Sequence, residues 1–155
     1  MGRSMIYKKL SLLLFLFAIL FFSGCDSPTP FSDKVEKTYF TGGQISSTYT
    51  WSDKSGKNGI LRKFGYDGHM TSSVHVSNGV KDGIESLYDA KGRVIKQIPY
   101  VNGRIHGTEK AFYPNGSRMI TYTYQHGMKN GYAFAYNPDG TVNKKAKFIN
   151  NKLVR

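Results

Sequence analysis

The sequence predicts an all-β protein, an antiparallel meander of about five stacked β-hairpins with a 24-residue period. Three observations predict it. Glycines recur in registers that share one step: Gly68, Gly92, Gly116 and Gly140; Gly59, Gly83, Gly107 and Gly131; and Gly79, Gly103 and Gly127, continued by Asn151. Apolar residues keep the same step, as set out below. Finally, leucine after residue 25 occurs only at 61, 87 and 153, while Gly, Tyr, Phe, Thr, Ser and Asn dominate, a composition of strands and turns.

Read in order, residues 1–24 form a lipoprotein signal peptide. Arg3, Lys8 and Lys9 give it a basic start, and Leu10 to Phe22 is an apolar run broken only by Ser11. At 1.5 Å per residue that run is roughly 20 Å long, short of the ~30 Å hydrocarbon core, so it reads as a signal rather than a span. It ends in Phe22-Ser23-Gly24-Cys25, which resembles the bacterial lipobox, with Phe22 where Leu is usual. The resemblance implies cleavage before Cys25 and diacylglycerol on its thiol. Cys25 is the only cysteine, so lipidation also accounts for a lone thiol in an exported chain. Asp26 resembles the inner-membrane retention signal of enterobacterial lipoproteins. The expected location is the cell envelope, on the periplasmic side of a membrane. Residues 25–34, rich in Ser, Pro and Asp, read as the lipidated cysteine and a linker.

Residues 35–155 carry the repeats. Four residues before each turn glycine stand Tyr39, Phe64, Tyr88, Phe112 and Tyr136. Six after it stand Tyr49, Val74, Ile98, Tyr122 and Ala146, and eight after it Trp51, Val76, Tyr100, Tyr124 and Phe148. The last two columns are two apart and so share one side of a strand. The residues between them, such as Thr50 and Thr123, are mostly polar. Each unit therefore reads as a hairpin: a first strand ending at the aromatic, a tight turn such as Pro114-Asn115-Gly116, and a return strand. A longer turn, 125–131, leads onward. Tyr39, Phe64, Tyr88, Phe112, Tyr136, Trp51, Tyr100 and Tyr124 are the expected core. Pro99, in mid-strand without an N–H, predicts a bulge or local break. The first unit has one extra residue around 54–57.

The segments GRIHGTEKAFYPNG (103–116) and GMKNGYAFAYNPDG (127–140) resemble MORN repeats, and more closely the bacterial variant often described as antitoxin. The resemblance extends over 35–155. It implies a repeat sheet without catalysis and a protein partner, with an immunity or antitoxin role.

No catalytic constellation stands out. His69, His75, His106 and His126 occupy different repeat positions, and none is expected to hold metal; no cofactor is expected either. Glu85 and Glu109 share a repeat position and read as surface decoration. The charge is lopsided, 22 Lys and Arg against 10 Asp and Glu, which predicts attraction to anionic lipid, nucleic acid or an acidic protein without choosing among them. Export disfavours nucleic acid. Lys144, Lys145, Lys147 and Lys152 cluster near the end. They read both as protection of an edge strand and as a docking patch for lipid or an acidic partner. The expected function is non-catalytic binding of a protein, a toxin or effector being one candidate. The alternative is a structural or peripheral membrane module whose basic sheet contacts anionic lipid.

Overall fold

The computed structural model describes residues 34–154. The expected signal peptide, Cys25 and Asp26 lie outside the described residues. What is described is all β: β1 (Val35–Tyr39), β2 (Ile45–Trp51), β3 (Gly59–Phe64), β4 (Met70–Ser77), β5 (Val80–Lys81), β6 (Gly83–Tyr88), β7 (Val94–Val101), β8 (Arg104–Ile105), β9 (Gly107–Phe112), β10 (Arg118–Gln125), β11 (Met128–Tyr136), β12 (Val142–Ile149) and β13 (Lys152–Val154). They form one antiparallel sheet in the order β1-β2-β3-β4-β6-β7-β9-β10-β11-β12-β13, with β5 beside β4 and β8 beside β7. The five hairpins are β1–β2, β3–β4, β6–β7, β9–β10 and β11–β12.

Two kinds of turn alternate, each dictated by backbone chemistry. Within a hairpin the loop is a three-residue turn closed by a glycine in the left-handed region. In the third unit the Gly92 amide donates to Asp89 O (2.9 Å) and the Asp89 amide to Arg93 O (3.0 Å), with Gly92 at φ 75°. The Asp89 carboxylate accepts from the amides of Lys91 and Arg93, both at 2.9 Å, so the side chain preorganises its own turn. Asn115 and Asp139 accept the amides of Ser117 and Thr141 in the same way.

Between hairpins the turn is shorter than its sequence suggests. Segment 125–131 is not one long turn. His126-Gly127 makes a two-residue turn with both residues at positive φ (50° and 88°), as do Asn78-Gly79 and Asn102-Gly103, the geometry that matches strand twist. A bulge follows, around Gly131 at φ 126°. In the two preceding inter-hairpin segments the corresponding break separates β5 from β6 and β8 from β9. One glycine closes the turn and the next opens the bulge, which in sequence looks like a single loop. At this edge the ladder between units is itself periodic. The amides of Gly79, Gly103, Gly127 and Asn151 donate to the carbonyls of Lys57, Lys81, Ile105 and Lys129 at 2.8–2.9 Å.

Pro99 does not break β7, which runs through it with Ile84 paired opposite. Its missing N–H falls beside the bulge between β8 and β9, where His106 N donates to Pro99 O (3.0 Å). The ladder is already interrupted there, so proline removes nothing. In the first unit residues 52–58 form a loop in place of the two-residue turn, and the Trp51 ring packs beside Gly56, where a Cβ would approach it to 2.9 Å.

The sheet is a single layer with two faces, and the expected core residues divide between them. Cross-strand pairs share a face. One face takes Glu36–Tyr49–Leu61–Val74, Glu85–Ile98, Gly83–Tyr100 and Glu109–Tyr122–Ala133–Ala146, and Trp51 and Tyr124 belong to it. Phe64, Tyr88, Phe112 and Tyr136 stand three residues past the glutamate position of their strands. That odd spacing sends them to the opposite face. Tyr39 is on that second face too, and at 58 % exposure it is not core, because β1 has a neighbour on one side only. The most enclosed side chains are Val74, Ala133, Ala111 and Tyr136 (2–9 % exposed), with Ser72, Thr121, Glu85 and Glu109 among them. Trp51, Phe64, Tyr88, Tyr100, Phe112 and Tyr124 are half-buried.

Candidate interaction surface

The two faces differ in charge. All three glutamates of the chain, Glu36, Glu85 and Glu109, lie seven residues before a turn glycine and therefore on the same face. Glu85 and Glu109 are not surface decoration. They are 6 % and 7 % exposed, and each is neutralised by a lysine: Lys81 Nζ to Glu85 at 2.7 Å, Lys96 Nζ to Glu109 at 2.8 Å. A carboxylate taken out of water needs such a partner. Each also faces a tyrosine. Burial, then the Glu109 carboxylate, pushes the Tyr124 phenol up to about 12. Burial and Glu85 raise Tyr100 in the same sense, against Lys81. These Lys–Glu–Tyr groups lock strands together.

The opposite face has no Asp or Glu at any strand position among the described residues. It presents Lys37, Arg62, Lys110, Lys145, Lys147 and Lys152, by the pairings Lys37–Thr48–Arg62, Lys110–Thr121–Phe134–Lys145, Tyr132–Lys147 and Ile149–Lys152. The exposed apolar side chains of the strands concentrate there as well, among them Val35, Ile84, Val101, Tyr132 and Ile149, each 45–54 % exposed. Charge and apolar area meet most closely near β11 and β12. Lys145 Nζ lies 4.0 Å from the centroid of Tyr132 and 5.7 Å from that of Phe134, and Arg118 stands 4.8 Å over Tyr136, cation–π geometry on an open surface.

The lysine patch read from the sequence is thus divided. Lys145, Lys147 and Lys152 belong to the basic face, whereas Lys144, paired with Ala135, belongs to the glutamate face. Neighbours in a strand point opposite ways, so Lys144 and Lys145 cannot serve one flat partner. Arg62 on β3 and Lys110 on β9 share that face through the register, seven and three strands away from β12 in the sheet. Their common repeat position was the available signal.

The structure also brings His106 and His126 together, ring centroids 5.2 Å apart, beside a shallow depression of about 450 Å³ that Val101, Asn102 and Arg104 help to line. His69 instead bonds the Asp67 carboxylate in its own turn. Among the described residues no three His, Cys, Asp or Glu converge as a metal set, and no helix is long and apolar enough to cross a membrane.

The family model described as MORN repeat variant matches residues 81–102 and 105–126. The two windows begin 24 residues apart and each takes in one hairpin, β6–β7 and β9–β10, so these segments carry MORN-variant repeats. Among curated proteins no match is found.

Proposed function

We propose that the mature protein is a non-catalytic binding module, held on the periplasmic side of a membrane by lipid on Cys25, that captures a protein partner on the basic face of its sheet. The observation that carries this reading is the sorting of charge. Strand carboxylates occupy one face and are paired, while the other face offers lysines without a carboxylate partner among the described residues, set among exposed aromatic and aliphatic side chains. A repeat sheet supplies such a surface over a long, regular span. The resemblance to antitoxin-type repeats supports an immunity role as its sharpest form, with an acidic toxin or effector as the partner. Asp26 supports retention at the inner membrane.

A second reading is favoured by the same face. Lysines over aromatic rings beside aliphatic side chains suit anionic lipid, and two or three acyl chains on Cys25 would keep the sheet close to it. One experiment separates the two. A lipid-free form starting at Asp26 is used for pull-down from periplasm and for sedimentation with anionic vesicles. Lys145→Glu with Lys147→Glu is expected to slow association with the protein partner about tenfold, while Lys144→Glu, on the other face, leaves it unchanged. Equal effects of the two variants would refute the assignment of the face. Retention by vesicles with no protein captured would replace the protein partner by lipid.

A further inference from the structure

The two edges of the sheet complement each other. At the junctions after β4, β7 and β10 the return strand of one hairpin pairs with two pieces of the next: a short arm near the turn and a second arm beyond the bulge. β4 is covered by β5 at Val76 and Ser77 and by β6 at Ser72 and Ser73. β7 is covered by β8 at Tyr100 and Val101 and by β9 at Lys96 and Gln97. β12 has only the first piece. β13 pairs with Lys147, Phe148 and Ile149, where Phe148–Leu153 repeats Tyr124–Lys129, Tyr100–Ile105 and Val76–Lys81. Val142 to Ala146 have no partner strand on that side among the described residues, and neither does the outer edge of β1.

We infer that β1 of a second copy of this chain fills the vacant half of the β12 edge, so that molecules associate head to tail and continue the meander. The repeat sets the register. Lys144 stands where Lys96 stands two units earlier, and Thr38 where Ala111 stands. Because Lys96 pairs with Ala111, Lys144 would pair with Thr38 of the second copy. The charge then completes itself. Lys96 bridges to Glu109 across its junction (2.8 Å), and Glu36 is the equivalent of Glu109. The two halves of that ion pair recur at opposite edges, Lys144 on β12 and Glu36 on β1, and a second molecule in this register brings them together. Glu36 is meanwhile 53 % exposed, with Lys34 a loose 3.7 Å away. The same register sets Lys145 against Lys37, a like-charge pair that keeps the contact weak. The lysines of β12 thus repel unrelated strands while Glu36 selects its own kind. The contact is heterologous, so it builds a series of oligomers and not a closed dimer.

The test uses the full-length lipoprotein in native membranes, where Cys25 is the only other cysteine. Thr38→Cys with Lys144→Cys in one chain is expected to give, on mild oxidation, a ladder of disulfide-linked dimers, trimers and higher species. Lys37→Cys with Lys144→Cys, whose side chains fall on opposite faces, should not. Without cysteines, chemical cross-linking should drop about two- to fivefold for Glu36→Lys, the worth of one exposed ion pair. It should return with Glu36→Lys and Lys144→Glu combined, and rise with Lys37→Glu. Absence of the Thr38–Lys144 ladder in protein that retains its β-sheet circular dichroism overturns the proposal. Equal cross-linking of the mismatched cysteine pair overturns it too, as does failure of the double charge swap to rescue.

Discussion

Glu109 and Tyr124 show how a single-layer sheet handles polarity. With no second layer to bury against, the most enclosed positions lie within the strands, and two of them hold carboxylates neutralised by lysines. Tyr124 bears the consequence. Its phenol is held up to about 12, by burial first and Glu109 second, so ultraviolet titration should find one tyrosine ionising well above the ordinary 10, and Glu109→Gln should lower it. The sign for stability follows. The folded pKa is raised, so the contribution is present below pH 10 and lost as pH rises toward 12; denaturant midpoints should fall across that window and recover in part in Tyr124→Phe. The aromatic positions separate by enclosure and not by ring chemistry. Tyr136, 9 % exposed, should cost about 3 kcal/mol on truncation to Ala. Tyr39, in the same repeat column but 58 % exposed on an edge strand, should cost under about 0.5 kcal/mol. Urea unfolding of both variants measures the contrast.

At the scale of the strand and turn, the period made the hairpins legible. A left-handed glycine is hard to replace, so Gly68, Gly92, Gly116 and Gly140 announce their turns without any structure. Strand alternation was also legible: Tyr100 and Thr123 do fall on opposite faces. What the columns did not disclose was how many faces are covered. Tyr88 and Tyr100 are equally aromatic and equally periodic, and only the pairing Gly83–Tyr100 beside Tyr88–Val94 shows that they point apart. The same parity split Lys144 from Lys145, and the burial of Glu85 was hidden because its neutralising Lys81 comes from across a bulge. Turn chemistry offers a direct check. His126 holds the left-handed position (φ 50°) that Asn78 and Asn102 hold in neighbouring units. His126→Asn should therefore stabilise by a few tenths of a kcal/mol, whereas Gly127→Ala, at φ 88°, should cost about 1–2 kcal/mol. Thermal melts of the two variants should move in opposite directions.

Across the whole sheet, each hairpin touches only the hairpins before and after it, so cohesion is local and repeats along one direction. Strand order follows chain order almost without exception, and β1 and β13 consequently lie on opposite margins. Tension applied between those margins runs along the hydrogen bonds and loads one ladder at a time. The molecule should open like a zipper and not resist like a shear clamp. Optical-tweezer traces pulled from residues 34 and 154 should show low, successive ruptures instead of one high peak. The length released per event should be roughly 80 Å, the extended reach of one 24-residue unit. A sheet of this kind is mechanically compliant: under load it yields a hairpin at a time and can wind back the same way, templated by whichever units are still folded.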